Sequence, residues 1–329
     1  MKVPEISIII CTYNRKDLLA KALPCIMTQK SDGRFFFDIV VIDDGSTDGT
    51  EQLVNKLSTA TPISMKYVNT QGKGVSHARN RGVRESRAGW LAFFDQDQLA
   101  EPHWMGHLFD EALSSGASIV DGPRDLALSP AQLSKLSETC RRILGERLGP
   151  LAGRWNTRES PNTGNVLISR KVFEELGGFD ESIITGGEDL DFFMKAKNAG
   201  FTIGYAQKAI VHHLIPSERL TPEFFKWNSQ RCGINFAAMD YKYSGPVKTM
   251  AFGFARLGQA LLINMPKLLY KLWTGDRVEA FGLKCLLWRA QGYLRMCLFL
   301  FAPSWFAQQR FLGNLEFRKE KLMVKAGAP

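Results

Sequence analysis

The chain has 329 residues, 45% of them apolar and 23% charged, with 29 glycines and 14 prolines. Such proportions exclude a disordered chain, a collagen-like repeat and a disulfide-stapled miniprotein, and the length suffices for a sizeable core in one large domain or one domain plus an appendage. The net charge of +9 is unevenly spread: residues 1–213 carry 25 Lys and Arg against 26 Asp and Glu, whereas residues 214–329 carry 17 against 7. A basic tail after a neutral body points to a surface partner of the tail alone, not to nucleic acid along the whole molecule. Six cysteines (Cys11, Cys25, Cys140, Cys232, Cys285, Cys297) include no Cys-x-x-Cys pair, so neither a zinc ribbon nor an oxidised framework is expected, and a reducing cytoplasm is the default. The apolar run Ile6 to Cys11 is too short, and too soon followed by Asn14-Arg15, for a secretory leader.

In chain order, Ile6-Ser-Ile-Ile-Ile-Cys-Thr-Tyr-Asn14 is a β-branched run closed by a polar turn, the pattern of a strand buried on both faces. From Arg15 to Gln29, Leu18, Leu19, Ala22, Leu23 and Ile26 recur at helical spacing, with Pro24 at a kink or end. Residues 35–42 predict a second strand, and Asp43-Asp-Gly-Ser-Thr-Asp-Gly49 a turn that opens a helix near Thr50 to Leu57. Residues 65–68 predict a short strand, Gly74 to Ala88 a helix, and Trp90-Leu-Ala-Phe-Phe94 a strand ending at Asp95. This alternation predicts an α/β fold whose mostly parallel or mixed central sheet is flanked by helices. The turns Thr12 to Asn14, Asp43 to Ser46 and Asp95 to Asp97 all follow strands, and ligands of open α/β sheets bind beyond that edge.

Three acidic clusters carry candidate chemistry. Asp43-Asp44 would accept hydrogen bonds from a base or ribose, although capping of the next helix explains such a turn equally well. Asp95-Gln96-Asp97 places two carboxylates at the end of a buried strand, where they repel unless a cation sits between them; Mg2+ or Mn2+ bridging to a diphosphate meets that need. Thr185-Gly-Gly-Glu-Asp-Leu-Asp-Phe-Phe193 puts Glu188, Asp189 and Asp191 at a predicted helix start, either as favourable partners of the helix dipole or with one of them as general base. Two imidazoles, His212 and His213, follow a short apolar stretch and would complete a metal shell.

With Ser7-Ile-Ile-Ile-Cys-Thr-Tyr-Asn-Arg15, Val41-Ile-Asp-Asp-Gly-Ser-Thr-Asp48, Ala78-Arg-Asn-Arg-Gly82, Phe93-Phe-Asp-Gln-Asp97, Thr163-Gly-Asn-Val-Leu-Ile-Ser-Arg170, Gly177-Gly-Phe-Asp180 and Gly187-Glu-Asp-Leu-Asp191 in this order, residues 1–213 resemble family 2 glycosyltransferases. These are inverting enzymes of the A-type nucleotide-sugar fold, here of the bacterial cell-surface polysaccharide type. The resemblance implies that Thr12 and Tyr13 border the nucleobase, with Asn14 among the donor-binding residues, that Asp43 or Asp44 binds base or ribose, and that Arg79 lies close to the nucleotide. It implies Asp97 as the direct metal ligand, with Asp95 nearer the ribose and the metal's outer shell, and His213 as the preferred further ligand, His212 being the alternative. Asp189 matches the base, with Glu188 beside it, and Asn165 and Asp191 fall on the acceptor side. Gln96 departs from the commonest pattern, in which Asp or another small polar residue stands between the aspartates. The implied partners are a UDP-, GDP- or dTDP-sugar donor and a saccharide or lipid-linked acceptor, with no nucleic acid. A catalytically silent binding subunit and a nucleotidyltransferase are the rival readings; the latter is expected to need a Gly-rich basic loop, which Cys11 to Lys16 lacks. Residues that select sugar and acceptor are expected between Asp97 and Thr163.

The catalytic domain is expected to end near 215, with residues 216–329 forming a basic helical extension. Met250, Phe254, Leu257, Leu261, Leu268 and Leu272 lie at helical spacing, with a kink expected at Pro266, and a second stretch runs from Phe281 to Trp305 and Phe306. Its longest uncharged run, Met296 to Gln309, has 14 residues, short of the roughly 20 that a spanning helix requires. Apolar faces edged by Lys and Arg fit helices lying in the interface of an anionic membrane, or else an appendage packed on protein. The expected location is the cytoplasm, peripheral on the inner face of the cell membrane.

Overall fold

The computed structural model describes residues 5–150, 160–183 and 186–304. Thr185, Trp305, Phe306 and residues 151–159 of the expected selectivity region therefore lie outside the described residues. The chain divides into two units, Met1–Ala127 with Glu146–Leu214, and Leu128–Gly145 with Ile215–Pro329. Leu128–Gly145 thus groups with the helical unit and not with the segments that flank it in sequence.

The strands of the first unit are β1 (Ile6–Thr12), β2 (Phe37–Asp43), β3 (Met65–Asn69), β4 (Trp90–Asp95), β5 (Gln98–Ala100), β6 (Ile119–Asp121), β7 (Arg124–Leu126), β8 (Asn165–Ser169), β9 (Ile203–Tyr205) and β10 (Val211–His213). Seven form one mixed sheet in the order β3-β2-β1-β4-β8-β6-β9, and β5-β10-β7 form a second. β1 pairs in parallel with both β2 and β4, and β8 enters antiparallel between β4 and β6. Alternation along β1 explains its unbroken apolar run: Ile6, Ile8 and Ile10 pack into the core on one face, while Ile9 joins Phe93, Phe192 and Phe193 on the other. Strand order reverses between β2 and β4 about β1, so the crevice of an open α/β sheet falls where these three strands end.

The second unit is helical, led by Pro222–Gln259 and Arg277–Phe301, with the short helices Pro130–Leu133 and Glu138–Ile143 contributed by Leu128–Gly145. Its chain bends in two places. Gly245 takes φ 79°, a region closed to most side chains, immediately before Pro246, and a π-helical turn Ala260–Asn264 precedes Met265–Trp273. Pro266 stands in the first turn of that last helix, where its missing N–H is tolerated, so the bend expected at Pro266 is taken by the π turn before it. No helix among the described residues is long and apolar enough to cross a membrane.

Glycines let the two long helices touch through their backbones. A Cβ on Gly233 would overlap the carbonyl oxygen of Arg289, and one on Gly292 would overlap that of Gln230. Beside this crossing the buried Tyr293 hydroxyl donates to Asp240 at 2.8 Å, with the Arg256 guanidinium 4.1 Å from the tyrosine ring centre. Alanine ordinarily favours a helix over glycine, but the clash reverses the sign: Gly292→Ala is expected to lower the unfolding free energy by about 1–3 kcal/mol in urea titration, whereas Gly258→Ala, with open space around it, is expected to be neutral or stabilising.

Candidate active site

The ends of β1, β2 and β4 are tied together by their turns. Asn14, at φ 46°, receives the Thr47 amide on its carboxamide oxygen, and its own amide donates to Ser46 Oγ at 2.8 Å. The Tyr13 amide donates to Gln96 Oε1 at 3.3 Å, which gives the unusual Gln96 a role in joining the turn after β4 to that after β1. Thr12 is buried and Tyr13 half-buried at this edge.

Asp43 and Asp44 are buried and engaged locally. Asp43 accepts from the Ser46 amide and the Tyr67 hydroxyl, and Asp44 accepts from Thr70 Oγ1 and, through both oxygens, from the Gly74 amide at 3.0 Å. Gly45, at φ 87°, allows this turn to lie against the backbone of Gln71 and Gly72. The turn-forming explanation of this acidic pair therefore describes its present bonding.

The second cluster meets a histidine. β10 runs antiparallel to β5, with His213 opposite Gln98, and the Leu214 amide donates to the Asp97 carbonyl. His213 Nε2 comes to 3.3 Å from Asp97 Oδ2. Because neighbours in a strand face opposite ways, His212 turns from Asp97 and lies 2.9 Å from Glu101 and 3.7 Å from Asp125. Desolvation and the adjacent Asp97 charge push the Asp95 carboxyl above its usual range, against the pull of Arg79. Asp97 and His213 offer the oxygen and nitrogen that a divalent cation accepts, beside a carboxylate that lacks full compensation. Among the described residues no group of three His, Cys, Asp or Glu side chains forms a self-sufficient metal centre. Two side chains completed by substrate phosphate oxygens is the arrangement that Mg2+ commonly takes.

The third cluster begins the helix Glu188–Asn198, whose N-cap is Gly187 at φ 98°. Glu188 is buried and accepts from Arg79 Nη1 at 2.6 Å; Arg79, also buried, stacks on Phe179 with 5.5 Å to the ring centre. Burial opposes the arginine's charge, but Glu188, Asp95 and Asp189 hold its pKa above the ordinary value. Asp189 keeps part of its surface accessible, and the protein packed round it, together with Glu188, raises its pKa to about 6. It accepts from Asn162 Nδ2 at 3.3 Å and from the Leu190 amide. Asn162 also receives the Gly164 amide, and a Cβ on Gly164 would stand 2.6 Å from Asp95 Oδ2 and 3.0 Å from Asn162 Oδ1. Asp95 and Asp189 thus both lie against the Asn162–Gly164 turn.

Asn165 and Asp191, expected on the acceptor side, both lie in the interior. Asn165 is fully buried: its oxygen accepts from Trp104 Nε1 and its amide donates to the carbonyls of Pro123 and Ala209. Asp191 is likewise buried and pairs with Lys195 at 2.8 Å.

Other side chains emerge only from the structure. Asn80 clips the Phe179 backbone through both ends of its amide, which seats the Gly177–Asp180 turn. Arg124, buried on β7, faces Asp95 and Asp189; burial and the neighbouring Arg147 lower its pKa to about 10. Asn162 stands one residue before a quoted motif and would have been found by extending it, whereas nothing in the pattern around Arg124 singles it out.

A mixed sheet that gathers acidic turns at its reversal point is the arrangement of the A-type nucleotide-sugar fold. The sequence pattern of glycosyl transferase family 2 matches residues 7–177, more than half of the chain, and the protein belongs to that family of glycosyltransferases. Its relatives include glycosyltransferase AglE of Haloferax volcanii, 25% identical over 64% of this chain and 67% of that protein. Succinoglycan biosynthesis protein ExoM of Rhizobium meliloti is 29% identical over 65% and 68%, and chondroitin synthase of Escherichia coli is 25% identical over 65% of this chain but only 35% of its own. Among solved structures, the mannosyltransferase PcManGT of Pyrobaculum calidifontis, in complex with GDP-Man and Mn2+, shares the fold at TM-score 0.60 and 16% identity over 89% of this chain and 88% of that one. S. aureus TarS 1-349 in complex with UDP-GlcNAc aligns at TM-score 0.51 and 15% identity over 91% and 92%.

Removing one member of the buried Arg79–Glu188 pair leaves an uncompensated charge. Arg79→Met is expected to lower stability by about 3 kcal/mol, and adding Glu188→Gln to recover part of it; a double-mutant cycle in urea showing no coupling would contradict the pairing.

Proposed function

We propose that the protein is a metal-dependent inverting glycosyltransferase that moves a sugar from a nucleoside-diphosphate donor, a UDP-, GDP- or dTDP-sugar, to a hydroxyl of a saccharide or lipid-linked acceptor. The pairing of Asp97 with His213, together with the placing of Asp95 and Asp189 against the one turn Asn162–Gly164, carries this reading. Relatives named for succinoglycan and chondroitin support a role in assembling cell-surface polysaccharide or glycolipid, and neighbours holding GDP-Man with Mn2+ or UDP-GlcNAc support the donor class and a divalent ion. The enzyme acts on the cytoplasmic side, in peripheral contact with the membrane.

Asp97 and His213 would hold the cation, with Asp95 beside them. The chemistry it supplies is neutralisation of charge on the departing diphosphate. Thr12 and Tyr13 border the base, with Asn14 fixing their turn, while Asp43 and Asp44 shape the pocket that receives the ribose. Asp189 takes the proton of the attacking hydroxyl as the oxygen bonds to the anomeric carbon from the face opposite the diphosphate, which leaves with the electron pair of the broken C–O bond. A base with its pKa near 6 is ionised at neutral pH and still basic enough to accept that proton. Glu188 and Arg79 position it.

Asp189→Asn is expected to retain donor binding and lose transfer by at least about a hundredfold; near-parental turnover rules out Asp189 as the base. Asp97→Ala is expected to abolish manganese-dependent nucleotide affinity, measured by calorimetry with and without metal. Since only the carboxylate accepts a proton, kcat/KM is expected to climb about tenfold per pH unit below pH 6 and to level off above it. A profile flat from pH 5 to 8 contradicts the assignment.

A further inference from the structure

One surface of the helical unit has no part in the proposed reaction. Along the π turn Ala260–Asn264 and the helix Met265–Trp273, the buried residues are Ala260, Asn264 and Leu268, a stripe repeating every four residues. The remaining sides are also largely apolar. Leu262 is 78% exposed and Trp273 83%, with Leu269 and Tyr270 exposed between them. The preceding helix extends the patch: Val247 is 81% exposed and Phe254 68%, with Met250 and Leu261 in helical step. Pro246, Val247, Met250, Phe254 and Phe301 line an open apolar groove beside them. A helix apolar on every side is normally buried, and exposed apolar surface of this extent marks an interaction site.

Charge selects the occupant. Residues 246–304 contain eight Lys and Arg but only Asp276 and Glu279 as acids, and Asp276 is already paired with Lys271 at 2.8 Å. Lys248, Lys267, Lys284 and Arg295 are exposed among the apolar residues. A second copy of the chain would set an identical cationic surface against the first, whereas the same charges attract an anionic leaflet. Because no helix among the described residues is fit to span, such side chains reach only the headgroup and acyl boundary.

We propose that Val247, Phe254, Leu262, Leu269 and Trp273 form a monotopic membrane-docking face, inserted into the acyl boundary of an anionic bilayer while Lys248 and Lys267 meet headgroup phosphates. The proposal rests on the reading of the protein as a peripheral enzyme and gives that contact its residues.

The test uses the full chain and sedimentation with phosphatidylcholine vesicles prepared with and without phosphatidylglycerol. Binding is expected to the phosphatidylglycerol vesicles and to weaken when salt is raised. Leu262→Glu with Trp273→Glu is expected to weaken it about tenfold or more while circular dichroism and thermal midpoint stay unchanged. Lys248→Gln with Lys267→Gln is expected to reduce the preference for phosphatidylglycerol. Unaltered binding by the double glutamate variant overturns the proposal. So does a parent dimer that this variant converts to monomer without any loss of vesicle binding, since the face would then be a contact between copies. Manganese-dependent donor hydrolysis without vesicles is expected to be equal in parent and glutamate variant. Hydrolysis absent from both, with docking intact, would sink the enzymatic reading and leave the docking face standing.

Discussion

The buried pair between Arg79 and Glu188 is the constraint on which the arrangement of the catalytic unit depends. It joins the helix Val75–Glu85 to the start of Glu188–Asn198, two segments more than a hundred residues apart in sequence, and is itself packed on Phe179. Asp189 follows directly on Glu188, so the orientation of the proposed base is inherited from the ion pair next to it. One guanidinium also lies within electrostatic reach of Asp95. Arg79 offsets part of the acidic charge gathered here.

Much of this was legible in the sequence because the relevant patterns are local. The apolar run of β1 shows burial on both faces, and turns such as Asp95-Gln96-Asp97 announce strand ends. What escaped was set by long-range pairing. β5, β6, β7, β9 and β10 have three residues each, too few for a period of two to stand out, and the second sheet exists only through their mutual register. Asn165 lies within a quoted motif, yet its amide is saturated inside the core; motif membership identifies a required residue without saying whether packing or chemistry requires it. The aspartates 43 and 44 make the same point, since turn formation and ligand contact favour the same side chains.

The helical unit obeys a different economy of contact. Gly233 and Gly292 bring two backbones together where side chains ordinarily intervene, and the nearby Tyr293–Asp240–Arg256 group places polar atoms in the resulting core. Helical spacing in the sequence disclosed the apolar faces but not which were covered. Leu268 and Leu272 share a helix of nine residues, and one is buried while the other is exposed. The excursion Leu128–Gly145 was equally hidden, as nothing in its composition tells which unit it will join.

The placement of His212 and His213 on β10 has a consequence for how such a pocket changes over time. The two imidazoles are chemically identical and differ only in the parity of their positions in a strand of three residues. A slip of one residue against β5 would rotate His212 towards Asp97 and carry His213 away, with no substitution at all. Insertions or deletions in the loops flanking this strand therefore have a leverage on which imidazole stands beside Asp97 that point replacements there lack. Which histidine faces Asp97 is held by strand pairing as firmly as by the genetic code.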